Sequence, residues 1–242
     1  MGTDQLMKYQ GTHHYVLNSL GSRIVAGELP AFTVINLNSL EEEYQVSRTV
    51  IREVVRVLES HGMLVSRRRV GITVQPKDKW EVLDGSVIQW RLEGPDCEQQ
   101  IVELMELRLA IEPAAARFAA LRATEDERRR LVELATVLDD LGRQMKTNTK
   151  EFLDADIAFH SALIMACRSP LLMYMVDPII EALAGRLVHD VLSGIPQADT
   201  LEGHVAVAEA VARGDEVAAA AASAALLDVI AEQIDAGTLV SA

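Results

Sequence analysis

The sequence predicts a mainly α-helical chain in two parts: three helices with a β-hairpin, then an all-helical bundle. Three observations carry this expectation. Alanine and leucine are abundant while aromatic residues make up 4% of the 242 positions, a composition that favours helix over sheet. Apolar residues recur at helical spacing along most of the chain, and the one clear switch to β-branched residues, around a basic centre, is "MLVSRRRVGITVQP". Charge is also divided unevenly. Residues 1–76 carry eight Lys/Arg against seven Asp/Glu, a net of +1, which leaves −14 on the remainder of a chain whose total is −13. We therefore expect one domain over residues 1–76, near neutral with basic clusters, and an acidic one over 77–242.

The elements follow in order. Val16, Leu17, Leu20, Ile24 and Val25 form a helical stripe closed by Gly27 and Pro30. "SLEEEYQ" has Ser39 with Glu42 three residues on, the pattern of a capping box, and predicts a short helix ending near Gln45. Ser47 is the expected N-cap of "SRTVIREVVRVLESHG", and Gly62 its stop. The hairpin comes next, and "QPKDKW" is the best linker candidate. Three helices and a two-stranded hairpin in about 65 residues is the layout of a winged helix-turn-helix.

Beyond Trp80 the pattern is helix after helix. "WEVLDGSVIQW" is short; the next helix is long, capped by Asp96 and expected to bend at Pro113. Thr124 and Glu127 make a second capping box. "KEFLDADIAFHSALIMAC" follows, then a helix opened by Pro170 and kinked at Pro178. Two final helices are separated by Gly214, with Asp215 as the cap; the alanine run at 218–225 belongs to the last of them. Trp80 and Trp90 are expected to dock the first helix of the second domain.

Several classes are disfavoured. No apolar run approaches the ~20 residues of a membrane span, and "MGTDQLMKYQG" lacks the apolar core of a signal peptide. Cys97 and Cys167 form no CxxC pair, so a reducing cytoplasm is the expected location. HExxH, nucleophile-elbow and phosphate-loop motifs are absent from the sequence.

Arg48, Arg52 and Arg56 lie at i, i+4 and i+8 on the side of the third helix opposite Ile51, Val54, Val55 and Leu58. A guanidinium can fork onto a guanine edge or a phosphate, so such a face suits the major groove. Arg67, Arg68 and Arg69 at the hairpin centre would form a wing on the backbone or minor groove. An arginine stripe alone is what many solvated helix faces show. Joined to the three-helix spacing and the basic hairpin, it points to DNA.

The same residues resemble a known family. "VSRT", "IRE", "VLESHGML" and the wing glycine Gly71 are similar to the winged-helix domain of GntR-type bacterial regulators. "ELMELRLAIEPAAARFAALRAT", "DADIAFHSALIMACRSPLL" and "HVAVAEAVARGDEVAA" resemble the FCD effector domain of the FadR-like branch. The resemblance implies a ligand-responsive regulator, a repressor binding a short palindromic operator as a homodimer, with Thr49 and Gly71 joining the arginines at DNA. One departure stands in the first domain: the family often has arginine ten residues before that of "SR", and here the position is Asn38.

In "DADIAFHSALI", Asp156 and His160 are four apart and share a helical face. Alone, such a pair is more often a polar helix surface than a site. The resemblance adds His204, and implies that Asp156, His160 and His204 hold a divalent ion such as Zn²⁺, Mn²⁺ or Ni²⁺. The family's fourth ligand position is Leu226, which offers no donor. His13, His14, His61 and His189 fit no ligand spacing. "WEVLDGSVIQW" resembles relatives that respond to galactonate or gluconate, so the expected effector is a small sugar acid, its carboxylate met by Arg108. Pairing of Arg108 with Glu112, four residues on, is the competing expectation. Two other functions compete with this one: an acyl-CoA-responsive regulator of lipid metabolism, and a metalloenzyme using Asp156, His160 and His204.

Overall fold

A computed structural model of the chain describes residues 3–147, 149–188 and 198–240. It divides into two compact units, Met1–Gln100 and Ile101–Ala242. The composition boundary at 76/77 falls just after the last strand of the first unit. That unit continues through a further helix.

The first unit opens with α1 (Thr3–Val25), longer than its apolar stripe, and then β1 (Val34–Ile35). Helices α2 (Leu37–Tyr44) and α3 (Arg48–Ser60) form the helix-turn-helix, followed by β2 (Leu64–Arg67) and β3 (Gly71–Val74). The wing is thus a three-stranded antiparallel sheet of order β1-β3-β2, with Val34 opposite Thr73 and Arg67 opposite Gly71. The sequence predicts only two of these strands, because a two-residue strand has no period to detect. Ser39 is not a cap: Asn36 is, its side chain accepting from Asn38 N, and Ser39 lies within the first turn of α2. Gln45 closes α2 in the left-handed region at φ 53°, and Ser47 caps α3 by accepting from Val50 N. The core gathers Leu20, Ile51, Val54, Leu58, Met63, Ile72 and Val74.

α4 (Gly85–Leu92), capped by Asp84, packs in this core. Trp80 and Trp90 are members of it, and they dock α4, the helix that the sequence places first in its second part, on the core of the first unit. The Trp90 ring lies against Gly21, where an added Cβ would come within 2.6 Å of it. Its Nε1 donates to Asn18 Oδ1 at 3.2 Å.

α5 (Cys97–Arg122) leads into the second unit and continues through Pro113. The Asp96 carbonyl accepts from Gln100 N, while its carboxylate pairs with Lys77. Then come α6 (Glu125–Arg143), α7 (Lys150–Ala166), α8 (Pro170–Met173), α9 (Val176–Val188), α10 (Ala198–Arg213) and α11 (Glu216–Val240). The single kinked helix expected around Pro178 is two helices, with Pro178 in the first turn of α9, where its missing N–H leaves no bond unmade. The capping box of Thr124 and Glu127 is complete. α10 packs on α6 and α11, and α7 packs on α6 and α9. Leu131, Leu138, Phe159, Leu163, Val207, Val211 and Leu227 are fully or nearly fully buried. Arg128 ties two helix ends together, donating to Ala120 O and Ala123 O near the end of α5 and to Val211 O and Ala212 O at the end of α10.

Candidate functional site

Two clusters hold the residues singled out from the sequence, one in each unit. In the first, burial of Val50, Ile51, Val54, Val55 and Leu58 turns the opposite side of α3 outward. Arg48, Thr49, Arg52 and Arg56 are all exposed there. Arg48 is oriented by its neighbours: Nη1 donates to Asn38 Oδ1 at 3.3 Å and Nε lies 3.8 Å from Glu41. Asn38, at the departure from the family pattern, therefore steers the arginine of the next helix. Arg56 pairs with Glu53 at 2.7 Å. On the wing, Arg67, Arg68 and Arg69 are exposed, and the turn is closed by Val70 N donating to Arg67 O. Arg69 and Gly71 take positive φ, 69° and 113°; a side chain at Gly71 would be strained and would crowd Val34. Glu59, on α3, accepts from Ser66 N and fixes the wing against the helix.

The second cluster is inside the helical unit. Asp156 and His160 point inward from α7 and His204 from α10, with exposures of 7%, 1% and 2%. Asp156 Oδ1 lies 3.1 Å from His204 Nε2 and 3.4 Å from His160 Nε2, and the two Nε2 atoms are 3.4 Å apart. Donors about 2.0–2.1 Å from a zinc ion at tetrahedral angles stand roughly 3.4 Å from one another, so this triangle fits one ion with a face left open. The imidazole–carboxylate chemistry suits Zn²⁺, Mn²⁺ or Ni²⁺ alike. Phe159 packs edge-on against both imidazoles and screens them with an apolar wall.

His160 Nδ1 is 2.7 Å from Glu112 Oε2 on α5. The carboxylate lies on the outer side of the ring, and Nε2 is the nitrogen that faces the triangle. Glu112 in turn meets Arg108 Nε at 2.5 Å, both side chains 1% exposed. The competing expectation for Arg108 is therefore realised. Only one edge of the guanidinium is used by Glu112; Nη2 lies against the His160 ring at 3.2 Å, and Nη1 is buried with no hydrogen-bond partner among the described residues. Glu112 is the residue whose part the sequence reading did not recognise. Its spacing from Arg108 was the only available signal.

Burial and close charges shift Glu112, Asp156 and His160. Burial alone would raise the Glu112 carboxyl, but the charges of Arg108 and His160 bring it down to about 2. Burial would likewise raise Asp156, yet hydrogen bonds from His160 and His204 hold it well below the ordinary carboxylate range. For His160, burial disfavours the charged ring, and the Glu112 carboxylate outweighs it, so its pKa is raised. Leu226 is buried at 3% exposure on α11 and packs on Gly203, the neighbour of His204. Outside the cluster, His14 bonds Asn18 and His61 contacts Asp84 at 3.3 Å. His189 lies outside the described residues.

A winged helix-turn-helix with an exposed arginine face, carried on the same chain as a helical unit enclosing a charged cluster, defines a DNA-binding regulator with a sensing domain. Residues 14–74 match the bacterial regulatory proteins of the gntR family, and residues 103–229 match the FCD domain. The chain belongs to the GntR family of transcriptional regulators, with an FCD domain as its second part. It is 31% identical over 208 residues to the galactonate operon transcriptional repressor of Escherichia coli K12, covering 84% of this chain and 88% of that protein. The regulator LutR of Bacillus subtilis is 25% identical over 65% of this chain and 68% of its own. Among solved structures, a Streptococcus agalactiae GntR protein superposes with a TM-score of 0.51 at 24% identity, covering 91% of this chain and 99% of that one. These relatives are regulators, not enzymes. No helix among the described residues is long and apolar enough to cross a membrane.

Proposed function

We propose that the chain is a homodimeric repressor whose release from a palindromic operator is driven by a small sugar acid of the galactonate or gluconate type. The observation that carries this is the buried Asp156–His160–His204 triangle with Arg108 beside it. Such a closed polar site suits a small anion with hydroxyl groups, and an acyl chain would leave these buried charges unpaired. Similarity to the galactonate operon repressor supports the ligand class. Arg48, Thr49, Arg52 and Arg56 would read the major groove, and Arg68, Arg69 and the Gly71 turn would rest on the backbone.

Asp156, His160 and His204 would hold a divalent ion, which when bound supplies an electropositive centre for carboxylate or hydroxyl oxygens. Glu112, 2.7 Å from Nδ1, would orient the His160 ring so that Nε2 faces the ion. Arg108, whose Nη1 has no hydrogen-bond partner among the described residues, presents a donor to the anion. A ligand that binds two arrangements of the chain unequally shifts their populations, and with them operator affinity.

Calorimetric titration of D-galactonate and D-gluconate, with and without added Zn²⁺, tests the reading. Binding that is lost in Arg108→Met, with metal content lost in His160→Ala, is expected. If neither acid binds while an acyl-CoA does, the ligand assignment fails. If metal content by elemental analysis is the same in wild type and His160→Ala, the metal assignment fails.

A further inference from the structure

Arg48 is the first residue of α3, directly after the Ser47 cap. A cation there opposes the helix dipole, which favours acid in the first turn, so stability alone does not select an arginine at this place. The fold nevertheless holds it. Helix α2 packs on α3, and Asn38 and Glu41, three apart on one side of α2, both reach the guanidinium. Asn38 Oδ1 accepts from Nη1 at 3.3 Å. Glu41 Oε1 stands 3.8 Å from Nε, and this buried oxygen has no hydrogen-bond partner among the described residues. A shift of about half an ångström would close that bond.

The two α2 residues are themselves fixed. Asn38 N donates at 2.9 Å to the Asn36 side chain that caps the helix. The turn into α3 is tied as well, Val46 N donating to Glu41 O at 3.3 Å and the Gln45 side chain to Glu42 O at 2.6 Å. Exposed contacts of this kind add little to stability, and the Arg48 side chain is 60% exposed. Their effect is on orientation. A guanidinium has only donors, so the Asn38 amide must turn its oxygen to Arg48 and its NH2 away. One hydrogen on Nη1 and both on Nη2 stay available, enough to fork onto the two acceptors of a guanine edge.

We propose that Asn38, supported by Glu41, is a positioning residue for sequence discrimination: it holds Arg48 in the pose that reads a guanine, and contacts no base itself. Ordering the fork before DNA arrives removes part of the entropy lost on binding. A guanidinium already facing a carboxylate also gains less from a phosphate, a contact that carries no sequence information. An asparagine reading adenine would need both its amide oxygen and its NH2, and here the oxygen is engaged. The inference rests on the DNA-reading role proposed for Arg48 and adds the residue that sets its selectivity.

The test uses the full chain and a duplex selected from a random DNA pool by the wild-type protein. Repeating the selection with Arg48→Ala identifies the guanine whose preference depends on that arginine. Discrimination is then the ratio of Kd values for the selected duplex and for one with that base pair changed, measured by fluorescence anisotropy at fixed salt. Phosphate contacts cancel in this ratio, and a partly unfolded variant weakens both duplexes alike. Arg48→Ala is expected to lower the ratio roughly tenfold or more, and Asn38→Ala roughly threefold or more. Asn38→Asp keeps the acceptor and loses the NH2. It should hold the ratio within about twofold of wild type while its added charge weakens binding to every duplex. In the Arg48→Ala background, Asn38→Ala should change no base preference, because a residue acting through Arg48 has nothing left to act on. Full discrimination in Asn38→Ala, its loss in Asn38→Asp, or a further preference lost in the double variant overturns the positioning role and leaves Arg48 as a reader. Base preferences that Arg48→Ala leaves intact overturn the reading role and this inference with it.

Discussion

The two units keep their arginines in opposite environments. On α3 and the wing they project into solvent, where a guanidinium costs nothing to maintain and a phosphate can replace its water. In the helical unit Arg108 is 1% exposed and persists only because Glu112 and the His160 ring surround it. An exposed arginine is independent of the fold and acts on what arrives from outside. A buried one is part of the fold, so whatever binds beside it must act on the stability of its own domain. The difference teaches where to expect functional changes to be separable from structural ones.

The largest effect should come from breaking the buried pair. Glu112→Ala strands the Arg108 charge and is expected to cost about 3–5 kcal/mol of unfolding free energy. Replacing both partners, Arg108→Met with Glu112→Leu, should recover much of it in urea denaturation. Equal losses for the single and double variants would mean that the pair is not the source. Arg128→Ala should come next, at about 2–3 kcal/mol, because four carbonyls at two helix ends lose one shared donor; the melting temperature reads this directly. In the first unit, Arg52→Ala should leave the melting temperature within experimental scatter and weaken operator binding by about 1–3 kcal/mol. Removing Arg68 and Arg69 together should flatten the dependence of log affinity on log salt by roughly two units. A stability loss in either variant would erase the contrast between the units.

The smallest effect concerns pH. The Glu127 carboxyl is lowered by the Thr124 backbone N–H, then by the Thr124 hydroxyl and Arg168, which together outweigh its partial burial. Its contribution is therefore present above the unfolded carboxylate range and is lost as pH falls through the folded value. Glu127→Gln should cost about 1 kcal/mol at neutral pH, and the gap to wild type should close as pH falls through the folded value. A gap that stays constant would assign the cost to something other than the ionised cap.

Surface patterns were legible because period and exposure are local properties. The α3 stripe needs only one helix to be read, and so does the Thr124–Glu127 box. The α2 cap was misplaced because Asn36 and Ser39 are both good caps, and the choice depends on β1 feeding the helix at Asn36. β1 itself is too short to show alternation. Asp156 and His160 could be paired from spacing, but His204 required a family resemblance, since nothing local connects residues 44 positions apart. Glu112 illustrates the remaining gap. Its spacing from Arg108 is ordinary, and its role depends on α5 and α7 being neighbours.

Trp90 has a practical consequence for anyone who would graft this reading head onto a different sensor. A junction placed at the composition boundary, after residue 76, would discard the indole that fills the notch at Gly21 and donates its N–H to the Asn18 side-chain oxygen. The exchanged part would begin life with a hole in its centre and a stranded amide, and its poor behaviour would be blamed on the new sensor. A seam after Gln100 carries the indole along. Modularity in this chain is therefore real, but its unit of exchange is longer than the motif that gives it a name.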